Sequence, residues 1–311
     1  MTKQEFEKKT IFVLMSTFNG EKYLNEQIES IKDQKNVETH LVIRDDGSKD
    51  NTKNIIKKWV NTYPDWITFI EGKNIGFAQS FSKLLSLTIT KFSNAQYLAF
   101  CDQDDVWSPE KLMIALRYLS KESKLTPVLY FSNAELVDSA LKPLSLLWRV
   151  NEVDLSKERS LVQNFAPGCT EVFNRCAAEM YIKTPPHNIT LHDYLMFQIC
   201  IFLGKVTYDE APRIKYRQHV NNQIGKVTGL RRWVRFLCKP IIKHDISTRN
   251  ALFLEVYKRF LSAQDVLLLN SFLNYKKSLF HKIALVFNRK ISYSNMESNI
   301  LMKIKILLGW L

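Results

Sequence analysis

Three carboxylates stand within four residues in the run Cys101-Asp102-Gln103-Asp104-Asp105. Charges this close repel one another unless a cation offsets them. A hard divalent ion, Mg2+ or Mn2+, suits such a set because it prefers carboxylate together with phosphate oxygens. The competing use is an acidic turn that caps the helix after Ser108, but a cap needs one acid and not three. Asp45-Asp46-Gly47-Ser48 is a second acidic turn. A D-G-S turn after a strand serves the backbone by itself, and its weight comes from the partner motif Asp102-x-Asp104. Ser16-Thr17-Phe18-Asn19-Gly20 gathers small hydroxyls, an aromatic ring and a glycine. That set suits a nucleoside, which needs stacking and a few hydrogen bonds, and equally suits a plain helix start.

The second half holds an acid–base candidate, His192-Asp193. A carboxylate here can take a proton from a hydroxyl nucleophile, while Thr190-x-x-Asp193 also reads as a capping box. Tyr216-Arg217-Gln218-His219 adds a cation and an imidazole, although a lone histidine is most often structural or exposed. Pro167-Gly168-Cys169-Thr170 is by itself an ordinary turn.

The elements that must position these groups follow from hydrophobic periodicity. Ile11–Met15, Thr39–Ile43, Ile67–Ile70 and Tyr97–Cys101 are short β-like runs. Between them Leu24, Ile28 and Ile31, then Ile55, Ile56, Trp59 and Val60, then Phe77, Phe81, Leu84 and Leu85 recur at helical spacing. Alternation of this kind predicts an α/β fold with a Rossmann-like, mostly parallel sheet covered on both faces. Ligands then bind at the carboxyl ends of the strands, where the polar clusters fall. Ser108-Pro109-Glu110 predicts a helix start with Ser108 as cap and Pro109 in the first turn, the helix running through Tyr118. Val128–Phe131 reads as a strand, residues 140–160 as loops and short helices, Asn174–Tyr181 as a helix, and Leu191–Leu203 as another after Pro185-Pro186. Beyond Gly225 the chain turns to basic, apolar helical segments without strand signals.

Taken together, Met15-Ser-Thr-Phe-Asn-Gly-Glu, Arg44-Asp-Asp-Gly-Ser, Asn74-Ile-Gly76 and Asp102-Gln-Asp-Asp-Val-Trp107 resemble, in order and spacing, the family-2 glycosyltransferases. The resemblance covers roughly residues 10 to 225 and implies a GT-A fold. It implies that Ser16, Thr17, Phe18 and Asp46 line a nucleoside pocket, with Asn74, Gly76, Gln103 and Arg217 also on the nucleotide-sugar side. Asp102 and Asp104 would be the D-x-D element that holds ribose, diphosphate and Mg2+ or Mn2+, with His219 at the metal–diphosphate end. Asp193 matches the family's catalytic base, and His192 stands where Glu is usual, as in its rhamnosyltransferase-like members. Cys169, Thr170 and His192 fall on the acceptor side. Phe18 stands where many relatives have Tyr, so any hydrogen bond from that ring is lost. The likeness is strongest to bacterial rhamnosyltransferases of cell-surface polysaccharide synthesis. It implies a dTDP-rhamnose donor, with UDP-hexoses as alternatives, and a lipid-linked saccharide acceptor.

The 311 residues, 46% of them hydrophobic, suffice for one large domain and an appendage. The expected division is a catalytic domain over 1–225 and a basic helical region over 226–311. Within the former, the nucleotide-sugar half spans about 10–110 and the acceptor half about 125–225. The net charge of +13 is uneven: from Lys226 onward there are 16 Lys and Arg against four acids. Such asymmetry marks a segment that meets an anionic partner. Large apolar residues interleaved with cations in Leu230–Lys243, and the amphipathic end Ile300–Leu311, favour an anionic membrane surface over nucleic acid. An ordinary helical bundle with a solvated basic face fits the same pattern.

Five scattered cysteines without a C-x-x-C pair argue against structural zinc or a disulfide framework. No signal peptide is evident, and no run reaches the ~18 apolar residues of a membrane span. The expected setting is therefore the cytoplasm, at the inner face of the membrane. A nucleotidyltransferase would share the fold but wants a Gly-rich, cation-bearing loop after the first strand, which Ser16–Glu21 lacks. A non-catalytic adaptor would need the basic tail but none of Asp102, Asp104 and Asp193.

Overall fold

The computed structural model describes residues 9–218 and 246–311. His219 and the segment Leu230–Lys243 lie outside the described residues. Contacts divide the chain into two units. The first gathers Met1–Trp148, Ala166–Cys200 and Gly204–Arg217. The second gathers Arg149–Phe165, Ile201–Leu203 and Gln218–Leu311.

The first unit is built on one sheet. Strands β1 (Thr10–Thr17), β2 (Glu38–Asp45), β3 (Ile67–Glu71) and β4 (Tyr97–Cys101) alternate with helices α1 (Leu24–Lys32), α2 (Thr52–Thr62) and α3 (Phe77–Lys91). They pair in parallel in the order β3-β2-β1-β4. Ile11 to Met15 and Tyr97 to Cys101 are buried throughout. Strands covered on both faces need continuous apolar runs rather than alternation. Leu24, Ile28 and Ile31 of α1 are fully buried on one stripe, as their spacing predicts.

Past β4 the sheet becomes mixed. Strand β5 (Val106–Trp107) and helix α4 (Lys111–Leu119) lead to β6 (Val128–Val137) and β7 (Pro143–Leu146). Then come β8 (Glu171–Asn174), α6 (Arg175–Tyr181), α7 (His192–Leu203) and β9 (Lys205–Arg217), the short helix α5 (Lys157–Ser160) between β7 and β8 belonging to the second unit. Strand β8 lies antiparallel between β4 and β6, β9 runs parallel to β6, and β5 pairs antiparallel with β9. Parallel pairing therefore covers the first four strands and the β6–β9 pair, while the pairs made by β5, β7 and β8 are antiparallel. Strand β9 escapes the sequence reading because Pro212 and its charged neighbours mask the apolar alternation. The β6–β9 register shifts between Ser132↔Asp209 and Asn133↔Pro212, a place where a proline without an N–H is tolerated.

Ser108 is not the helix cap that the sequence predicts. Helix α4 begins at Lys111 after Glu110, and no side chain caps it. The Ser108 carbonyl accepts from the Lys111 N–H at 3.0 Å and from the Gln34 amide at 2.8 Å, while its own N–H donates to the Arg213 carbonyl. Tertiary hydrogen bonds hold Ser108, so the helix starts two residues later.

The second unit is helical: α8 (Ile246–Tyr257), α9 (Ala263–Leu273), α10 (Leu279–Phe287) and α11 (Met296–Leu308) follow one another. Ser262 and Asp265 close a capping box on α9, and Asp265 also accepts from Lys157 at 2.7 Å. The Arg159 guanidinium donates to the Ser292 carbonyl and hydroxyl, and the Asn250 amide donates to the Leu161 carbonyl. Phe253, Tyr257, Leu269, Phe272 and Tyr275 form its buried interior. Among the described residues, no helix is long and apolar enough to cross a membrane.

Candidate active site

Because β1, β2 and β4 are parallel and adjacent, their carboxyl ends share one edge. Thr17, Asp45 and the Asp102 loop are thereby brought together. The end of β2 is locked to the loop before α3. Asp46, 2% exposed, accepts from the Ile75 and Gly76 N–H groups at 2.9 Å each and pairs with the Arg44 guanidinium at 2.5 Å. Arg44 also donates to the Ser80 hydroxyl at 2.8 Å and to the Lys73 carbonyl at 2.9 Å. Ser80 in turn meets the Ser16 hydroxyl at 2.6 Å. Gly76, with φ +86°, takes a left-handed conformation that side chains resist. Ser16, Asp46 and Gly76 thus belong to one network with Arg44 at its centre. Asn74 offers its backbone nitrogen beside Gly47. The Thr17 hydroxyl donates to Asp45, whose other oxygen accepts from the Gly47 and Ser48 N–H groups.

Arg44 was not singled out from the sequence, although a charge closing the apolar run Leu41-Val42-Ile43 could have marked it. Removing one partner of a buried ion pair leaves the other charge uncompensated. Arg44→Ala is expected to lower unfolding free energy by about 3 kcal/mol, read as a shifted urea midpoint with unchanged slope.

Phe18 is 43% exposed on the turn after β1. Its N–H donates to the Gln103 carbonyl oxygen at 2.9 Å, and its carbonyl accepts from the Gln103 amide at 3.1 Å. A Cβ at Gly20 would collide with that amide. Gln103 therefore holds the Phe18 turn with both ends of its side chain.

Oxygens of Asp102 and Asp105 and the sulfur of Cys169 lie within 4.8 Å of one another. Burial first, then the charges of Asp104 and Asp193, push the Asp102 carboxyl up to about 7. Asp105 is raised by burial and by Asp104 and Asp102. One of its oxygens accepts the Arg217 N–H at 3.1 Å, and the other is buried without a hydrogen-bond partner among the described residues. The sequence pointed to Asp102 and Asp104; the fold turns Asp105 inward to face Asp102 and leaves Asp104 outside that cluster. A hard cation fits this set through its oxygens: elevated carboxyls and an orphaned oxygen are what a divalent charge would relieve. The Cys169 thiol is pushed up by burial and by Asp105 and Asp102, so it stays protonated and suits Mg2+ or Mn2+ poorly.

Asp193 reaches the same field from α7. It is 7% exposed, in the first turn of that helix, and its Oδ1 accepts the Tyr194 N–H at 2.7 Å. The residue before the helix is Leu191, and no side chain caps it, so the capping-box alternative falls away. A Cβ on Gly168 would lie 2.6 Å from the His192 Nε2 and 3.5 Å from the Asp193 Cβ. Only glycine lets the 167–170 turn approach this closely. The Thr170 hydroxyl donates to the Pro167 carbonyl at 2.7 Å and so closes that turn. The His192 ring stacks on Phe81 at 4.0 Å and meets Phe100 edge-on at 4.9 Å. Burial lowers its pKa to about 3, so it stays neutral.

Arg217, 1% exposed, holds the acidic loop from the end of β9. Its guanidinium donates to the Asp104 carbonyl at 2.8 Å, to the Ser139 carbonyl at 2.6 Å and to Glu26, and it lies over the Tyr23 ring. Behind the cluster lie two groups without a sequence signal. Lys111 sits 3.7 Å over the Trp107 ring, its pKa lowered to about 8 by burial. Glu171 is fully buried and raised by burial and Asp193, with Lys111 opposing. Lys111 opens an amphipathic helix, where lysine is ordinarily solvated.

A profile described as "Glycosyl transferase family 2" matches residues 12–181. Over 224 residues the chain is 31% identical to the dTDP-rhamnosyl transferase RfbG of Shigella flexneri, covering 68% of this chain and 73% of that protein. Among solved structures, S. aureus TarS 1-349 in complex with UDP-GlcNAc superposes with a TM-score of 0.54 at 13% identity, covering 97% of this chain and 91% of that one. The mannosyltransferase PcManGT from Pyrobaculum calidifontis, in complex with GDP-Man and Mn2+, gives 0.51 at 15% identity, covering 98% and 88%.

Proposed function

This chain belongs to glycosyl transferase family 2 and has its GT-A fold, and we propose that it moves L-rhamnose from dTDP-rhamnose to a lipid-linked saccharide with inversion. The observation that carries the chemistry is the placement of Asp193 in the field of Asp102, across 91 residues of sequence, at the carboxyl ends of the sheet. Asp193 takes the proton of the acceptor hydroxyl while that oxygen attacks the anomeric carbon. The bond from that carbon to the diphosphate breaks, and the nucleoside diphosphate departs. A divalent cation, when held by the oxygens of Asp102 and Asp105, would offset the charge of the diphosphate. Phe18, presented by Gln103, offers its exposed ring to the base, and the Arg44–Asp46 network shapes the nucleoside pocket.

The donor assignment rests on the Shigella relative, whose description names dTDP-rhamnosyl transfer. A second reading keeps the same site but takes a UDP-hexose or UDP-HexNAc, as the UDP-GlcNAc complex of TarS suggests. Growth of surface polysaccharide on a lipid carrier would place the protein at the inner face of the cell membrane. Purified protein with Mn2+ or Mg2+ should release dTDP from dTDP-rhamnose faster with a lipid-linked acceptor than without. Faster release of UDP from UDP-GlcNAc, UDP-glucose or UDP-galactose would replace the donor and keep the reaction class.

A further inference from the structure

Among the described residues, helix α10 (Leu279–Phe287) leaves one face unpartnered. Phe280, Ile283, Ala284 and Phe287 recur at i, i+3, i+4 and i+7 and so form one stripe. Phe280 and Phe287 are each 77% exposed and Ile283 is 43% exposed, whereas Leu285 on the other side is buried. Two phenylalanines held in water two turns apart on one stripe are costly, and contiguous patches of this kind mark interaction sites.

The charge around the stripe selects the partner. Lys276 and Lys277 precede the helix and are exposed; Arg289 and Lys290 follow it and are exposed. Lys290 reaches Glu158 only at 3.8 Å and keeps 78% of its side chain in water. No acid occurs between Asp265 and Glu297. Lys282 donates to the Leu307 carbonyl at 2.9 Å, which ties α10 to the end of α11, where Leu308 and Trp310 are each about half exposed. Cations at both ends of an aromatic stripe complement anionic headgroups above an apolar interior, and tryptophan favours the same boundary.

We propose that the Phe280–Phe287 face of α10 inserts into the headgroup region of an anionic lipid bilayer and seats the protein on it. This deepens the reading of an acceptor held at a membrane and names the surface that does the holding. Nine residues cannot span a bilayer, so the helix lies in its plane. Nucleic acid would meet the cations but leave the aromatic stripe in water. A second copy would bring the same basic rim against itself.

The full-length protein is to be sedimented with vesicles of phosphatidylcholine alone and of equal parts phosphatidylcholine and phosphatidylglycerol. Binding to the anionic vesicles only, weakened by salt, is expected. Phe280→Ser/Phe287→Ser should lower the partition coefficient at least about tenfold. Lys276→Glu/Lys277→Glu should lower it by a similar factor. All four substituted positions are on the surface, so an unchanged circular dichroism spectrum is expected in both variants. Wild-type protein that stays in the supernatant with anionic vesicles would overturn the proposal. So would binding indifferent to the phenylalanine substitutions, equal binding to duplex DNA, or a dimer that those substitutions dissociate. Vesicle binding needs no donor and donor hydrolysis needs no vesicles, so failure here is separable from failure of the sugar-transfer reading.

Discussion

Asp193→Asn should lower kcat by about 10^2–10^4-fold while donor affinity stays within a few-fold, since a well-placed general base contributes roughly that factor. The substitution keeps the shape of a residue that is 7% exposed and whose Oδ1 accepts the Tyr194 N–H. It removes only the group that accepts the proton. The measurement is steady-state nucleotide release with acceptor present, beside a binding titration with the nucleoside diphosphate. A loss confined to kcat supports Asp193 as the base. An equal loss of nucleotide affinity would move Asp193 to the donor side, and an unchanged kcat would remove it from the chemistry. Glu171, raised by burial and by Asp193, would be the next carboxylate to test.

Loss of the Asp102 charge should be nearly as damaging, through a different quantity. Asp102→Asn is expected to reduce Mn2+-supported turnover by about 10^2–10^3-fold, the range seen when one preorganised electrostatic contact is removed. Direct Mn2+ titration of the protein with nucleoside diphosphate present should show the matching loss. The acidity of Asp102 adds a pH signature. Its carboxyl is pushed up to about 7 by burial and by Asp104 and Asp193, against about 3.9 in an unfolded chain. A raised folded pKa means that the folded state holds the proton more tightly. This group's contribution to stability is then fully present below about pH 3.9 and is lost as pH rises to about 7. A cation must displace that proton. Apparent Mn2+ affinity should therefore climb about tenfold per pH unit up to about pH 7 and level above it. A flat profile, or metal binding that survives Asp102→Asn, would take the cation away from this residue.

The parallel half of the fold is legible because its signals are local. A fully buried strand between two helical layers can hold only apolar side chains, so Ile11–Met15 and Tyr97–Cys101 announce themselves. The acidic, hydroxyl and glycine motifs at the strand ends are legible for the same reason: a turn's chemistry lies within a few residues of itself. The mixed half is harder. Strand β9 has a burial pattern without clean alternation and a proline at a register shift, so neither period is visible in its residues.

The site divides along the same line. By itself the sequence determined the α/β class, the helical end of the chain, and the residue types available for chemistry: Asp102, Asp104, Asp193 and the turns around Ser16 and Asp46. Only the tertiary structure decided what each polar group faces. It turns Asp105 beside Asp102, buries His192 among Phe77, Phe81 and Phe100, and gives the Gln103 amide to the Phe18 backbone. It also assigns the Arg217 guanidinium to the carbonyls of Asp104 and Ser139 and sets Lys111 and Glu171 behind the acids. The reason is physical: local periodicity fixes which face of an element is apolar, whereas a buried polar group takes whichever partner the packing of distant segments brings within about 3 Å.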